Sequence, residues 1–185
     1  MIRFFDIIIS ISILIIFLPV LFIISMSILF LNGRPLLYKQ VRVGLGGKKF
    51  KILKFRTMKN DTELNEKLRL TNFGKLLRKT SLDELPQFIN VIKNDMSIVG
   101  PRPLPEIIEK KINRHVKIKR RKIAPGITGL SQINYTGKHR KLEEKIHLDI
   151  LFINNYTLSN YFKIIIKTPI ALFLRLLRNK TSIIK

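Results

Sequence analysis

Cysteine is absent from the 185 residues of this chain, which excludes disulfides, thiolate zinc sites and cysteine nucleophiles. Histidine occurs only at positions 115, 139 and 147, without the spacing of metal ligands, and the chain offers neither a zinc motif nor a Ser-His-Asp arrangement. Internal repeats and low-complexity linkers are also lacking. The length therefore predicts one domain with a small appendage.

Acidic residues are scarce: 12 Asp and Glu stand against 35 Lys and Arg, for a net charge of +23. This excess indicates anionic partners, a class that includes nucleic acid, anionic lipid headgroups and phosphorylated substrates. Apolar residues, however, are concentrated at the two ends of the chain, and a basic, soluble nucleic-acid binder does not need them. The distribution favours a membrane-associated protein with no nucleic-acid partner.

The first apolar segment, residues 7–31, exceeds the roughly 20 residues needed to cross a bilayer. It lacks the short apolar region and small-residue cleavage site of a signal peptide, so we expect it to be retained. Pro19 permits two geometries: a spanning helix with a kink, or a helix that breaks there and returns as a re-entrant hairpin. The cations from Arg34 to Lys51 predict a cytoplasmic location for the part of the chain beyond this segment. We therefore expect a membrane helix in residues 1–33 and a second unit in residues 34–185.

Beyond the membrane segment, the patterns predict an α+β fold that is mostly helical. Residues 36–43 and 49–57 have the composition of a strand pair around Gly44-Leu-Gly-Gly47, and no Gly-Lys-Ser/Thr comes after it as in a Walker loop. Residues 72–80, 106–123, 141–156 and 162–177 have helical patterns, with Pro169 breaking the last, and residues 129–133 are typical of a short strand or loop. The last helix combines cations with an apolar face, which suits either a membrane interface or an ordinary core.

Two adjacent carboxylates, Asp83 and Glu84, stand in the basic stretch that contains Arg78, and a Gly/Pro-rich loop further on presents Arg102. Spacing alone favours a structural interpretation: Ser81 followed three residues later by Glu84 is the pattern of a capping box at a helix start. The chemical alternative is a phosphate site. An aspartate can attack an activated phosphorus centre, a divalent metal neutralises phosphate charge, and arginines clamp phosphate oxygens.

Four motifs decide between these interpretations. They are Lys54-Phe-Arg-Thr-Met58, Leu77-Arg-Lys-Thr-Ser-Leu-Asp-Glu-Leu-Pro-Gln87, Asp95-Met-Ser-Ile-Val-Gly-Pro-Arg-Pro-Leu104 and Pro125-Gly-Ile-Thr-Gly-Leu-Ser-Gln132. In this order, behind a hydrophobic segment, they resemble the motifs of the bacterial sugar transferases, which are monotopic polyprenyl-phosphate phosphoglycosyl transferases. The resemblance extends from Arg3 to about Pro169.

The resemblance implies an enzyme at the cytoplasmic face of the bacterial inner membrane. Such an enzyme transfers a sugar-1-phosphate from a UDP-sugar to undecaprenyl phosphate, the first membrane step of polysaccharide or glycan synthesis, and uses Mg²⁺. The alternative is a non-catalytic, membrane-anchored scaffold of the same fold in a glycan assembly complex. Neither the sugar, nor the pathway, nor the oligomeric state can be read from the residues.

The resemblance also implies roles for individual residues. Asp83 corresponds to the nucleophile and to a contact of the metal, and Glu84 to the second carboxylate of the pair. The predicted phosphate-binding or substrate-binding cations are Arg78, Arg102, Lys54 and Arg56.

The chain departs from the family pattern at three places. Leu18 stands where the family has a serine before the proline of its re-entrant helix, Lys138 where many members have an arginine, and Phe152 where a tyrosine is usual. Because lysine cannot reproduce the planar, bidentate contact of arginine, the second change puts nucleotide or sugar contacts in doubt. The third change raises the same doubt.

Overall fold

The computed structural model describes residues 1–60, 65–134 and 141–181, which form an α+β fold in which helices predominate, as predicted. The strands are β1 (Leu37–Val43), β2 (Lys49–Phe55), β3 (Ser97–Val99) and β4 (Gly126–Thr128). The helices are α1 (Ile2–Ile16), α2 (Leu18–Asn32), α3 (Glu66–Arg69), α4 (Asn72–Thr80), α5 (Gln87–Ile92), α6 (Glu106–Lys110), α7 (Arg114–Arg120), α8 (Leu130–Ile133), α9 (Leu142–Asn154) and α10 (Leu158–Thr181).

The apolar N-terminal segment forms two helices joined at Phe17, with a bend of 62° between them. Pro19 lies in the first turn of α2. A backbone amide at this position has no intrahelical acceptor, so the helix loses no hydrogen bond to the proline. The break therefore falls two residues before the proline, whereas the sequence predicts it at the proline itself. Among the described residues no single helix is long and apolar enough to cross a membrane, and α1 and α2 meet that test only as a bent pair.

The start of α1 is fastened to the rest of the domain by polar contacts. The buried carboxylate of Asp6 accepts hydrogen bonds from Ser97 Oγ (3.0 Å), the amide of Ile98 (2.8 Å) and the hydroxyl of Tyr161 (2.7 Å). Arg3 donates to the carbonyl groups of residues 91 and 92 at the end of α5. This end of the apolar segment is therefore bound to β3, α5 and α10.

The end of α2 is fastened to the same domain by one buried side chain. Arg56, directly after β2, donates through Nη2 to the carbonyls of Asn32 and Gly33, both at 2.5 Å, and through Nη1 to that of Arg34 at 3.1 Å. These contacts satisfy carbonyls that a helix end leaves without intrahelical partners. Both ends of the α1–α2 pair are thus held by one domain.

The predicted strand pair is confirmed. Strands β1 and β2 are antiparallel, with Leu37 opposite Phe55 and Val43 opposite Lys49. Their connection contains Gly46 and Gly47, which have φ angles of 62° and 85°, a region that glycine enters without a steric penalty. Apolar side chains of β2 pack into the core with residues of α5, β3, α9 and α10.

A second sheet is present that the sequence does not predict. Residues 96–103 and 125–129 have the composition of a loop and a turn, but β3 and β4 pair there in parallel, with Ser97 opposite Gly126 and Val99 opposite Thr128. The two segments approach so closely that a Cβ atom at Gly126 would lie 2.0 Å from the amide nitrogen of Gly100. Three-residue strands that contain or adjoin glycine carry no alternating apolar pattern, so periodicity does not reveal them.

The predicted helices are partly confirmed. Helices α4 and α9 lie where residues 72–80 and 141–156 predict them, whereas residues 106–123 form two helices, because Asn113 caps α7 through its side chain. Residues 130–133 are helical and not a strand or loop. Helix α10 continues through Pro169, where we expected a break; the ring is exposed, and the adjacent Thr168 donates to the carbonyl of Ile164.

Candidate active site

The two adjacent carboxylates lie in a 3-10 turn, residues Leu82–Glu84, between α4 and α5. Ser81 does not cap a following helix, so the predicted capping box is wrong. Its backbone is left-handed, with φ 60°, and it ends α4, while α5 begins only at Gln87. The carboxylates are therefore presented by a short junction between two helices, and not by the first turn of a longer one.

Asp83 is buried, and the pKa of its carboxyl group is raised from 3.8 to about 6, chiefly by this burial. The negative charge of Glu84 contributes to the rise, whereas the positive charges of Lys54 and Arg78 oppose it. A carboxylate with a raised pKa is a stronger base and nucleophile than a solvated one, and it is still mostly ionised at neutral pH. Asp83 therefore has the electrostatic character of a reactive carboxylate.

Glu84 is held by Lys54, whose Nζ lies 2.5 Å from Glu84 Oε1. Lys54 is carried by β2, and Asn90 of α5 fixes that strand: its Oδ1 accepts from the amide of Leu53 at 2.9 Å, and its Nδ2 donates to the carbonyl of Lys51 at 2.9 Å. An amide side chain thus continues the hydrogen bonding of the strand edge. The ion pair is therefore held at a set position between β2 and the turn.

A small, open cleft lies beside the turn. Its charged and amide side chains come from six segments and are Arg42, Lys54, Glu84, Gln87, Arg102 and Gln132. Three cations therefore face one space together with Glu84, while the buried Asp83, its neighbour in the chain, is not among the residues that line this space. This combination suits a ligand with phosphate groups.

Arg42 is a member of this cleft that the sequence analysis did not select. It lies on β1, and its guanidinium donates to the carbonyl of Pro103 at 3.1 Å and to Gln40 Oε1. Burial and the nearby charge of Arg102 lower its pKa. In the sequence, Arg42 belongs to a run of cations directly after the apolar segment, and only the pairing of β1 with β2 brings it to the cleft.

Arg102 is exposed at the cleft, and its backbone is held by a buried polar network. Arg120 donates through Nη2 to the carbonyl of Arg102 at 2.7 Å and through Nη1 to Asp149 Oδ2. Asp149 Oδ1 in turn accepts from Ser131 Oγ at 2.7 Å. Burial raises the pKa of Asp149, and the charge of Arg120 opposes that rise. The network fixes the loop from which Arg102 reaches the cleft.

The two remaining predicted cations, Arg78 and Arg56, lie in different surroundings. Arg78 is exposed in the last turn of α4, donates to Thr57 Oγ1 at 2.9 Å, and acts on Asp83 through its charge. Arg56 is buried, and its hydrogen bonds to the three carbonyls direct its guanidinium to the end of α2 and not into the cleft. Of the predicted site residues, Lys54, Glu84 and Arg102 thus line the cleft, and Arg78 lies by its charge near Asp83. Arg56 belongs to neither group.

Of the three departures from the family pattern, one is explained by packing. Phe152 is buried in the core and packs edge-on against Tyr156, with ring centroids 5.5 Å apart. Lys138 lies outside the described residues. Leu18 begins α2 as an exposed residue, directly after the bend.

The two adjacent carboxylates would suit a magnesium ion that also binds phosphate groups. Within residues 1–60, 65–134 and 141–181, no cluster of three or more His, Cys, Asp or Glu side chains could hold a metal by itself. Mg²⁺ in phosphoryl-transfer sites is commonly bound by one or two carboxylates together with substrate phosphates and water. Asp83 and Glu84 supply that number of carboxylates.

The sequence model of the bacterial sugar transferase family matches residues 1–175, and the chain therefore belongs to this family. It is 40% identical over 176 residues to the UDP-glucose:undecaprenyl-phosphate glucose-1-phosphate transferase of Klebsiella pneumoniae, covering 88% of this chain and 38% of that protein. It is 43% identical over 147 residues to the uncharacterized sugar transferase EpsL of Bacillus subtilis, covering 74% and 69%. It is 36% identical over 191 residues to the undecaprenyl-phosphate galactose phosphotransferase of Salmonella typhimurium, covering 90% and 39%. The chain thus spans about two fifths of the Klebsiella and Salmonella proteins.

Proposed function

We propose that this protein transfers a sugar-1-phosphate from a UDP-sugar to undecaprenyl phosphate, which yields a lipid-linked diphosphosugar. The observation that carries the proposal is the buried Asp83, with its pKa raised to about 6, beside a cleft lined by three cations. The reactions that the names of the Klebsiella and Salmonella relatives state are of this kind. The sugar stays open, because those names differ in it.

In the first step, a carboxylate oxygen of Asp83 attacks the β-phosphorus of the UDP-sugar. The bond between that phosphorus and the bridging oxygen breaks, and UMP leaves with the bonding electrons, so that a phosphosugar remains on Asp83. In the second step, an oxygen of undecaprenyl phosphate attacks the same phosphorus, and the bond to Asp83 breaks and restores the carboxylate. Two observations support Asp83 over Glu84 as the attacking group. The pKa of Asp83 is raised, and Glu84 is engaged in an ion pair with Lys54.

The cations of the cleft would bind the phosphate oxygens. Arg102 is exposed and can turn towards a ligand, whereas Arg42 and Lys54 are held by hydrogen bonds at the cleft wall. Charge-assisted hydrogen bonds from such groups are strongest where water is partly excluded. Asp83 and Glu84 would hold Mg²⁺, which when bound neutralises phosphate charge and polarises the phosphoryl oxygens.

We further propose that α1 and α2 enter the membrane as a re-entrant hairpin. The support is the attachment of both ends to one domain, through Asp6 at the start of α1 and through Arg56 at the end of α2. A segment whose two ends are held by the same domain has both ends on one side of the bilayer. The exposed apolar side chains of the pair would then lie in lipid, and the cations directly after α2 favour the cytoplasmic face of the bacterial inner membrane.

The experiment that tests the reaction measures UMP release by the purified full chain in vesicles that contain undecaprenyl phosphate. A panel of UDP-sugars is supplied with and without Mg²⁺, and we expect release with at least one sugar, only when Mg²⁺ is present. With a sugar-labelled substrate and no lipid acceptor, label should stay on the wild-type protein and not on Asp83→Asn. Absence of UMP release with every sugar would contradict the proposal and favour the scaffold alternative.

A further inference from the structure

One face of α10 carries the contacts of that helix with the rest of the domain. Tyr161 binds Asp6, Ile164 lies in the core, and the hydroxyl groups of Thr168 and Thr128 are 2.9 Å apart. The steps from Tyr161 to Ile164, to Thr168 and to Arg175 are three, four and seven residues, and such steps return to the same face of a helix. Arg175 therefore lies on this face. The opposite face is apolar and exposed, with Ile166, Ile170, Phe173, Leu174 and Leu177.

Arg175 reaches the junction from which the two carboxylates are presented. Its Nη2 lies 2.9 Å from the carbonyl oxygen of Arg78 and 2.9 Å from Ser81 Oγ. These partners lie 97 and 94 residues earlier in the chain. The guanidinium therefore binds the last turn of α4 and the residue before the 3-10 turn at the same time.

The junction needs such support because its own backbone bonding is weak. Ser81 is left-handed, with φ 60°, without being glycine, a conformation that is sterically strained in an L-residue. The hydrogen bond from its amide to the Arg78 carbonyl is long, at 3.4 Å. A cation at the C-terminal end of α4 also complements the helix dipole. Arg175 thus supplies a charged donor where the local chain supplies little.

We propose that Arg175 is a positioning residue that holds the junction of Ser81 and the turn Leu82–Glu84 in the conformation from which Asp83 reacts. The inference rests on the proposed function for its catalytic consequence, but not for the contact itself. The phosphate-binding cations of the cleft lie on β1, β2 and the loop after β3. Loss of the Arg175 contact should therefore impair the reacting geometry and leave substrate binding nearly intact.

The test compares Arg175→Gln with Lys167→Gln, in vesicles of phosphatidylglycerol and phosphatidylethanolamine. Both substitutions remove one cation from α10, but Lys167 is exposed, so it controls for lost attraction to the anionic membrane. The first measurement is hydrogen exchange at the amides of Glu84 and Leu85, which bond within the turn. The second is UMP release as a function of UDP-sugar concentration.

For Arg175→Gln we expect exchange at those amides to become about tenfold faster, because two hydrogen bonds to a charged group are lost. We expect kcat to fall about tenfold, with KM changed by less than about twofold, because geometry is lost and not phosphate binding. Arg175→Lys should give intermediate values, and Lys167→Gln should change neither quantity.

Unchanged exchange in Arg175→Gln would overturn the proposal, and so would faster exchange with normal kcat. Equal losses in Lys167→Gln would also overturn it, because the effect would then come from membrane charge. If the wild-type protein releases no UMP with any UDP-sugar, the proposed reaction fails. Hydrogen exchange then still decides whether Arg175 holds the turn.

Discussion

Replacing Asp83 by asparagine should stabilise the fold at neutral pH while it abolishes UMP release. The pKa of Asp83 is raised from 3.8 to about 6, so the folded state binds this proton more tightly than the unfolded chain does. Below about pH 4 both states are protonated and no cost arises, whereas above about pH 6 ionisation disfavours the folded state in full. With about 1.4 kcal/mol for each tenfold change in proton affinity, this cost is about 3 kcal/mol. Asparagine avoids it, because it has no proton to lose.

Thermal unfolding of the full chain in detergent, followed by circular dichroism, measures the effect. The gain in the unfolding midpoint of Asp83→Asn should be near zero at about pH 4 and reach about 6 to 12 °C at about pH 8. Glu143→Gln removes an exposed carboxylate and controls for the change in net charge. A gain that is the same at every pH, or a loss of stability at neutral pH, would refute the reasoning. In the wild type, kcat/KM should rise with pH through about pH 6, as the same group ionises.

Three further substitutions test other parts of the structure. Lys54→Met removes a cation that lowers the pKa of Asp83, so the acidic limb of the pH profile of kcat/KM should move to higher pH; an unmoved limb would contradict the assignment. Arg120→Lys should lower the free energy of unfolding by about 3 kcal/mol, because it weakens a buried ion pair; thermal unfolding measures this effect. It should also raise KM for the UDP-sugar, measured by UMP release, because the loop that carries Arg102 loses a hydrogen-bond donor. Arg56→Lys should speed proteolysis between α2 and β1, since fewer donors remain for the three carbonyls there; unchanged cleavage kinetics would show that the attachment lies elsewhere.

The elements that the sequence predicts best are those whose signals are local. The β1–β2 pair lies within two residues of its predicted bounds, and α4 matches them, because glycine-rich turns and apolar periodicity act over a few positions. The β3–β4 pair depends on the close approach of Gly100 and Gly126, which neither segment shows by itself. Helix α10 passes Pro169 because tertiary contacts outweigh the loss of one backbone hydrogen bond.

The residues of the candidate site also divide into those that the sequence identifies and those that only the tertiary structure reveals. Asp83 and Glu84 are identified through a resemblance of motifs, whereas their spacing alone predicts a helix cap that does not form. Ser81 has a distant partner in Arg175, 94 residues later, and no local pattern connects the two. Arg42 joins the cleft through strand pairing. Local patterns thus identify groups that can react, and the partners that fix their positions come from the tertiary structure.

The bond between Asp6 and Tyr161 joins residues 155 positions apart, and this separation bears on how the chain is made. Because synthesis proceeds from the N-terminus, α1 leaves the ribosome well before α10 does. Until α10 emerges, the carboxylate of Asp6 lacks one of its three donors, at a place that the finished fold closes to water. A carboxylate that lacks one of its donors is held less firmly, so the attachment of α1 to β3 is complete only after α10 has been made. The apolar pair α1–α2 therefore reaches its final attachment only when the helix that supplies Tyr161 is present.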